Sequence, residues 1–352
     1  MEEIKESKNI LWIDILKFLA MFLVVFEHVV LAFKLNTAPY ISDIRNLIVT
    51  FHMPIFFIIA GYLYKQRDKF ENYQKILYSL LIPYLIYQFL YLPLKLGYYI
   101  GVENIPTIKA TIKCFIGILL GDNLGTTGSR YALSVCPACW FIMVMIQLRL
   151  LFAHINITQR SLATVSLISF TFLKLLTCFD INLYFCIKNT LYAIPYFALG
   201  YYLKNYCELL KFKDTLKGKI TDIILLGLFL QIVFNLKTNH HDILLLSYAC
   251  GIAGFLLCMR ISQLFNDSNS FVDVIGKNTL FLIFFQSLFL FISKWCKCYN
   301  VLQFLPNTIE KLLYLILYSL IIYITSYFVI NAINKLHLSL ILGKYNNRGK
   351  NN

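Results

Sequence analysis

The chain has 352 residues, 59% of them hydrophobic and 14% charged, with a mean hydropathy of +0.67. Soluble domains are nearer half apolar and a quarter charged, so composition excludes a soluble globular protein and points to a polytopic membrane protein. The formal net charge of +14 does not imply a nucleic-acid partner, because Lys and Arg fall largely in short loops between apolar spans, where they set orientation.

Apolar windows of about twenty residues predict membrane helices over 10–33, 46–64, 76–94, 137–156, 161–179, 183–203, 220–236, 242–260, 276–293 and 311–334. The expected fold is all-α, a bundle of about ten transmembrane helices. Residues 108–120 form a shorter apolar piece, read as a re-entrant or interfacial segment. The transmembrane domain covers 1–340, and residues 341–352 make a polar tail expected to be disordered. The N-terminal apolar run has no small-residue cleavage site and is longer than a signal peptide needs. Basic residues concentrate around 65–75 and 204–219, which predicts a multi-pass protein of the cytoplasmic membrane with both termini inside. The ten cysteines are scattered. Cys136-Pro-Ala-Cys139 is the only C-x-x-C spacing, and without a second ligand pair it predicts no metal site.

The first span holds the most informative pattern. Lys17 precedes His28 by eleven residues within the apolar run 10–33, and at about 100° per residue both side chains share one helical face. They lie about 16 Å apart along the axis. Asp14 stands three residues before Lys17, and Glu27 flanks the histidine. Ionisable groups within a bilayer cost several kcal/mol unless paired or facing a cavity, so such a row marks a functional site. His52, two residues before Pro54, lies near the start of the second span, and antiparallel packing would bring it toward His28. Glu27, about 100° around the helix from His28, is expected to orient the ring only through a neighbouring helix. Arg149, deep in the fourth span, needs a partner, for which Glu27 and Asp14 are candidates, unless it snorkels to an interface.

Several stretches together resemble the integral-membrane acyltransferase-3 family. They are Ile13-Asp14-Ile15-Leu16-Lys17 continuing to Phe26-Glu27-His28, then Phe51-His52-Met53-Pro54-Ile55-Phe56-Phe57, Cys139-Trp140-Phe141-Ile142, Pro195-Tyr196-Phe197-Ala198-Leu199-Gly200-Tyr201 and Ile275-Gly276-Lys277-Asn278-Thr279-Leu280. The F-H-M-P form is most similar to the fucose 4-O-acetylase-like branch. Lys17 stands where most of the family has Arg, Ala60 replaces a usual Ser, and Gln286 occupies a place where relatives often have His.

The resemblance implies O-acylation of a sugar hydroxyl in an envelope polysaccharide or its lipid-linked precursor. The donor is acyl-CoA, acetyl-CoA in the first instance, entering from the cytoplasm; no cofactor is permanently bound. Partners are then the donor, a glycan or lipid-linked sugar, and membrane lipids. His28 is the expected base or transient acyl carrier, against a plain hydrogen bond to a neighbouring carbonyl. His52 assists at the acceptor end, or merely stabilises a kink at Pro54. Lys17 contacts donor phosphate with Asp14 fixing it, or the two form an i,i+3 ion pair that snorkels to the interface. Arg149 joins the donor site, and Trp140 either anchors at the interface or stacks on the sugar. A transporter or flippase of a polar or lipid-linked solute is the competing reading, since intramembrane charge also marks substrate pathways. A non-enzymatic scaffold leaves the polar row unexplained.

Overall fold

The computed structural model describes residues 2–121, 135–205, 226–227, 229–230, 243–265, 267 and 269–344. Among these there is no strand, and seven helices are long and apolar enough to cross a membrane, eight with one bent pair counted as a span. This is an all-helical polytopic membrane protein. In chain order the helices are α1 Glu2–Ala32, α2 Ile41–Tyr62, α3 Lys69–Gly101, α4 Thr107–Leu120, α5 Trp140–His154 and α6 Gln159–Cys178. They continue with α7 Ile187–Lys204, α8 Ile243–Gln263, α9 Ser270–Lys277, α10 Thr279–Trp295 and α11 Thr308–Lys335. Of the expected spans, 220–236 lies outside the described residues apart from Leu226, Gly227, Phe229 and Leu230, as does the tail from 345 onward.

Three elements depart from the expected boundaries. Helix α2 begins at Ile41 rather than 46, which puts Arg45 on the helix instead of in the preceding loop. Helix α3 runs through Pro83 and Pro93 to 33 residues. It absorbs Pro83, which has no N–H to give the preceding turn, by widening to a π-helical turn over Leu77–Leu81, where the Ile82 N–H reaches back to the Leu77 carbonyl. The expected span 276–293 is instead two helices, α9 and α10, meeting at 87°. At that corner the Asn278 Nδ2 donates to the Val274 carbonyl at 2.6 Å, satisfying an acceptor that the turn removes from the helix ladder.

The chain forms two compact units. The first comprises Met1–Leu63, Leu199–Leu282 and Phe289–Val329; the second comprises Tyr64–Ala198, Ile283–Leu288 and Ile330–Asn352. The core of the first unit is apolar, with Leu16, Met21, Ile55 and Ile322 fully buried. Helices in lipid gain little from hydrophobic burial against one another, so close packing and interhelical hydrogen bonds hold them. Gly254 of α8 lies so near α2 that a Cβ there would stand 2.4 Å from Phe51 Cβ, and Gly276 of α9 lies so near α1 that a Cβ would stand 2.4 Å from the Asp14 carbonyl oxygen. The buried Tyr323 of α11 donates its hydroxyl to the Phe18 carbonyl of α1 at 2.9 Å. These contacts hold α1 and α2, the helices that carry the polar row.

In the second unit, Tyr84 and Tyr87 are buried along α3. Tyr84 donates to the Ile118 carbonyl of α4 at 2.6 Å. Cys136 and Cys139 are buried and not joined in a disulfide, just before α5, where the Cys136 N–H donates to Gln88 Oε1 at 2.8 Å.

Candidate functional site

Helix α1 carries Asp14, Lys17, Glu27 and His28 on one uninterrupted helix. Its apolar residues Leu16, Ala20, Met21 and Val25 are buried without exposure, so the helix is fixed by packing rather than by its charges. Lys17 Nζ stands 2.6 Å from Asp14 Oδ1, and the carboxylate is nearly buried while the ammonium keeps partial exposure. The i,i+3 spacing forms this pair directly. Gly276 of α9 approaches the Asp14 main-chain carbonyl closely enough that a Cβ there would stand 2.4 Å from its oxygen.

A second polar cluster lies near the other end of α1. Arg45 of α2 donates from Nε at 3.0 Å and from Nη2 at 2.8 Å, both to Glu27 Oε1. Glu27 Oε2 lies 3.6 Å from His28 Nε2. The Glu27 carboxylate is buried, whereas the His28 side chain is 32% exposed and therefore not sealed by packed neighbours. Glu27, His28 and Arg45 are all electrostatic neighbours of the buried His52.

His52 Nδ1 is 2.8 Å from the Ile48 carbonyl, one turn earlier on α2. A carbonyl only accepts, so Nδ1 carries the proton in this bond and Nε2 keeps its lone pair. The helix continues through Pro54 to Tyr62. The bond to Ile48 lies within α2 itself and sets the tautomer of the ring.

Glu27 Oε2 lies against His28 Nε2, while Arg45 of α2, a neighbouring helix, holds Oε1. Consecutive Cβ atoms diverge on a helix, but the glutamate stem is long, and Arg45 draws its carboxylate aside. Arg45 is the residue that sequence reading missed. Its one signal in the sequence is a basic side chain eighteen positions after an intramembrane acid.

Arg149 and Trp140 belong to the second unit, whereas the two clusters on α1 belong to the first. Trp140 opens α5 and packs edge-on against Phe141 at 6.4 Å. The acids suggested for Arg149 are otherwise engaged, Asp14 by Lys17 and Glu27 by Arg45. Arg149 lies instead among Tyr64, Arg67 and Lys75 as electrostatic neighbours, and forms no ion pair among the described residues.

Chemically, the first unit offers a lysine–aspartate pair at one level of α1 and two imidazoles with a carboxylate and a guanidinium at another. Imidazole can take and return a proton near neutral pH, and a carboxylate against it favours the protonated ring that forms in the process. A family model described as an acyltransferase domain matches residues 10–330. No curated protein and no solved structure matches the chain.

Proposed function

The chain belongs to the acyltransferase-3 family and is a membrane acyltransferase; from that premise we propose that it moves an acetyl group from cytoplasmic acetyl-CoA to a sugar hydroxyl. The acceptor is an envelope polysaccharide or its lipid-linked precursor, and the protein sits in the cytoplasmic membrane with both termini inside. The His28 imidazole, half-buried and faced by the Glu27 carboxylate, is the observation that carries this reading.

In the proposed reaction the imidazole takes the hydroxyl proton as the sugar oxygen attacks the thioester carbonyl. The tetrahedral adduct collapses, the C–S bond breaks, and the imidazolium returns the proton to the departing thiolate. Ester and free CoA result, and the ring is restored. Transient acylation of His28 followed by transfer to the hydroxyl gives the same products. His52, with its Nε2 lone pair free of the backbone bond, assists at the acceptor. Lys17, held by Asp14, neutralises donor phosphate.

Acetyl-CoA labelled separately in its acetyl and adenine portions, supplied to isolated membranes, tests the reaction. The reading predicts acetyl label in base-labile product and adenine label recovered as free CoA. Intact solute crossing the membrane with no acetyl transfer would instead identify a transporter.

A further inference from the structure

The polar contacts around Glu27 divide unequally between its two oxygens. Oε1 accepts two guanidinium N–H groups, from Arg45 Nε at 3.0 Å and Nη2 at 2.8 Å. Oε2 accepts neither and lies 3.6 Å from His28 Nε2. The usual fork-on-fork pairing of arginine with a carboxylate spreads the two bonds over both oxygens. Here both converge on one, and the other is left toward the imidazole.

We infer that Arg45 is a positioning residue for the transfer: it clamps Glu27 by one oxygen so that the other stands against the His28 ring. Two facts of the fold make this clamp necessary. Glu27 and His28 are consecutive on α1, so their side chains leave the helix about 100° apart, and nothing in α1 itself brings the carboxylate toward the ring. The carboxylate is also buried, and a buried acid without a cation is costly in a membrane interior. Arg45 meets both needs from α2, the helix that also carries His52. A lysine would supply the charge but not two diverging N–H groups in fixed geometry. Arg45 itself also reaches Asn46 Oδ1 through Nη1 at 3.4 Å, which restrains the guanidinium plane.

This inference rests on the proposed role of His28, and its test separates the two. Acetyl transfer from labelled acetyl-CoA into base-labile membrane product is measured for Arg45→Gln, Arg45→Lys, Glu27→Gln, the double variant Glu27→Gln/Arg45→Gln, and the charge exchange Glu27→Arg/Arg45→Glu. Because Arg45 acts through Glu27, Arg45→Gln is expected to lower kcat by about tenfold or more with the KM for acetyl-CoA little changed. Arg45→Lys recovers only part of the loss, and the double variant is no worse than Glu27→Gln. The charge exchange restores thermal stability in detergent but not transfer, since no carboxylate then faces the ring from α1.

Additive losses in the double variant, or full transfer in the charge exchange, would overturn the inference and leave an ordinary interhelical ion pair. Should Arg45→Gln not accumulate in the membrane, the charge exchange alone decides between these outcomes. His28→Ala serves as the separate control: full transfer by that variant refutes the histidine's role, whereas loss there with unaffected Arg45 variants refutes only the positioning role.

Discussion

Gly254→Ala places a methyl carbon against α2 at the residue that precedes His52. The new Cβ would lie 2.4 Å from both Cβ and Cγ of Phe51 and 2.8 Å from its Cδ2. Rotating the Phe51 side chain cannot relieve the contact with its Cβ, because that atom is fixed by the backbone. The helices must open by about 1 Å for that contact to grow from 2.4 Å to the ordinary 3.4 Å. Overpacking of this kind costs about 1–3 kcal/mol, against a gain of about 0.5–1 kcal/mol from replacing glycine in a helix. The net expectation is a destabilisation within about 0–2.5 kcal/mol, centred near about 1 kcal/mol. A displacement of about 1 Å at a reacting group costs on the order of 100-fold in rate, so transfer should fall more than stability does. Gly97→Ala and Gly101→Ala provide the comparison, because a Cβ at either position meets nothing within 4 Å. Thermal unfolding in detergent, alongside acetyl transfer in membranes, reads both effects. If Gly254→Ala unfolds at or above the wild-type temperature with full transfer, the close approach of α8 to α2 and its part in placing His52 are wrong.

Gly276→Ala acts in the same way on the Asp14 carbonyl at 2.4 Å and should impair use of acetyl-CoA, seen as a raised KM in initial-rate measurements. Lys17→Met is expected to raise that KM by about tenfold or more through loss of the cation while expression stays normal; an unchanged KM would reduce Lys17 to an interfacial ion pair with Asp14. Tyr323→Phe deletes the 2.9 Å bond to the Phe18 carbonyl and should cost about 0.6–1.5 kcal/mol in unfolding experiments, without altering transfer beyond that loss.

Much of the architecture was legible because membranes demand long apolar helices and because an ionisable residue within one is conspicuous. Asp14 and Lys17 could be paired from their spacing alone, since an i,i+3 contact depends only on helix geometry. Arg45 could not be placed in the same way. Its partner Glu27 is on another helix, and hydropathy started α2 at 46 whereas the backbone starts it at Ile41. Charge lowers a hydropathy window, so the method trims from a helix the polar first turn that reaches into the site. The corner at Asn278 was hidden for the opposite reason: both arms are apolar enough to read as one span, and the break depends on a side-chain bond to Val274. The engagement of both candidate acids elsewhere was equally invisible for Arg149, because hydropathy reports depth in the membrane and not which neighbour lies beside a residue.

Acetyl transfer by membranes containing His28→Ala, at wild-type abundance and with acetyl-CoA saturating, addresses the account most directly. It predicts that base-labile acetyl product disappears while the protein still inserts and unfolds at close to the wild-type temperature. Product formation at the wild-type rate by that variant would contradict it.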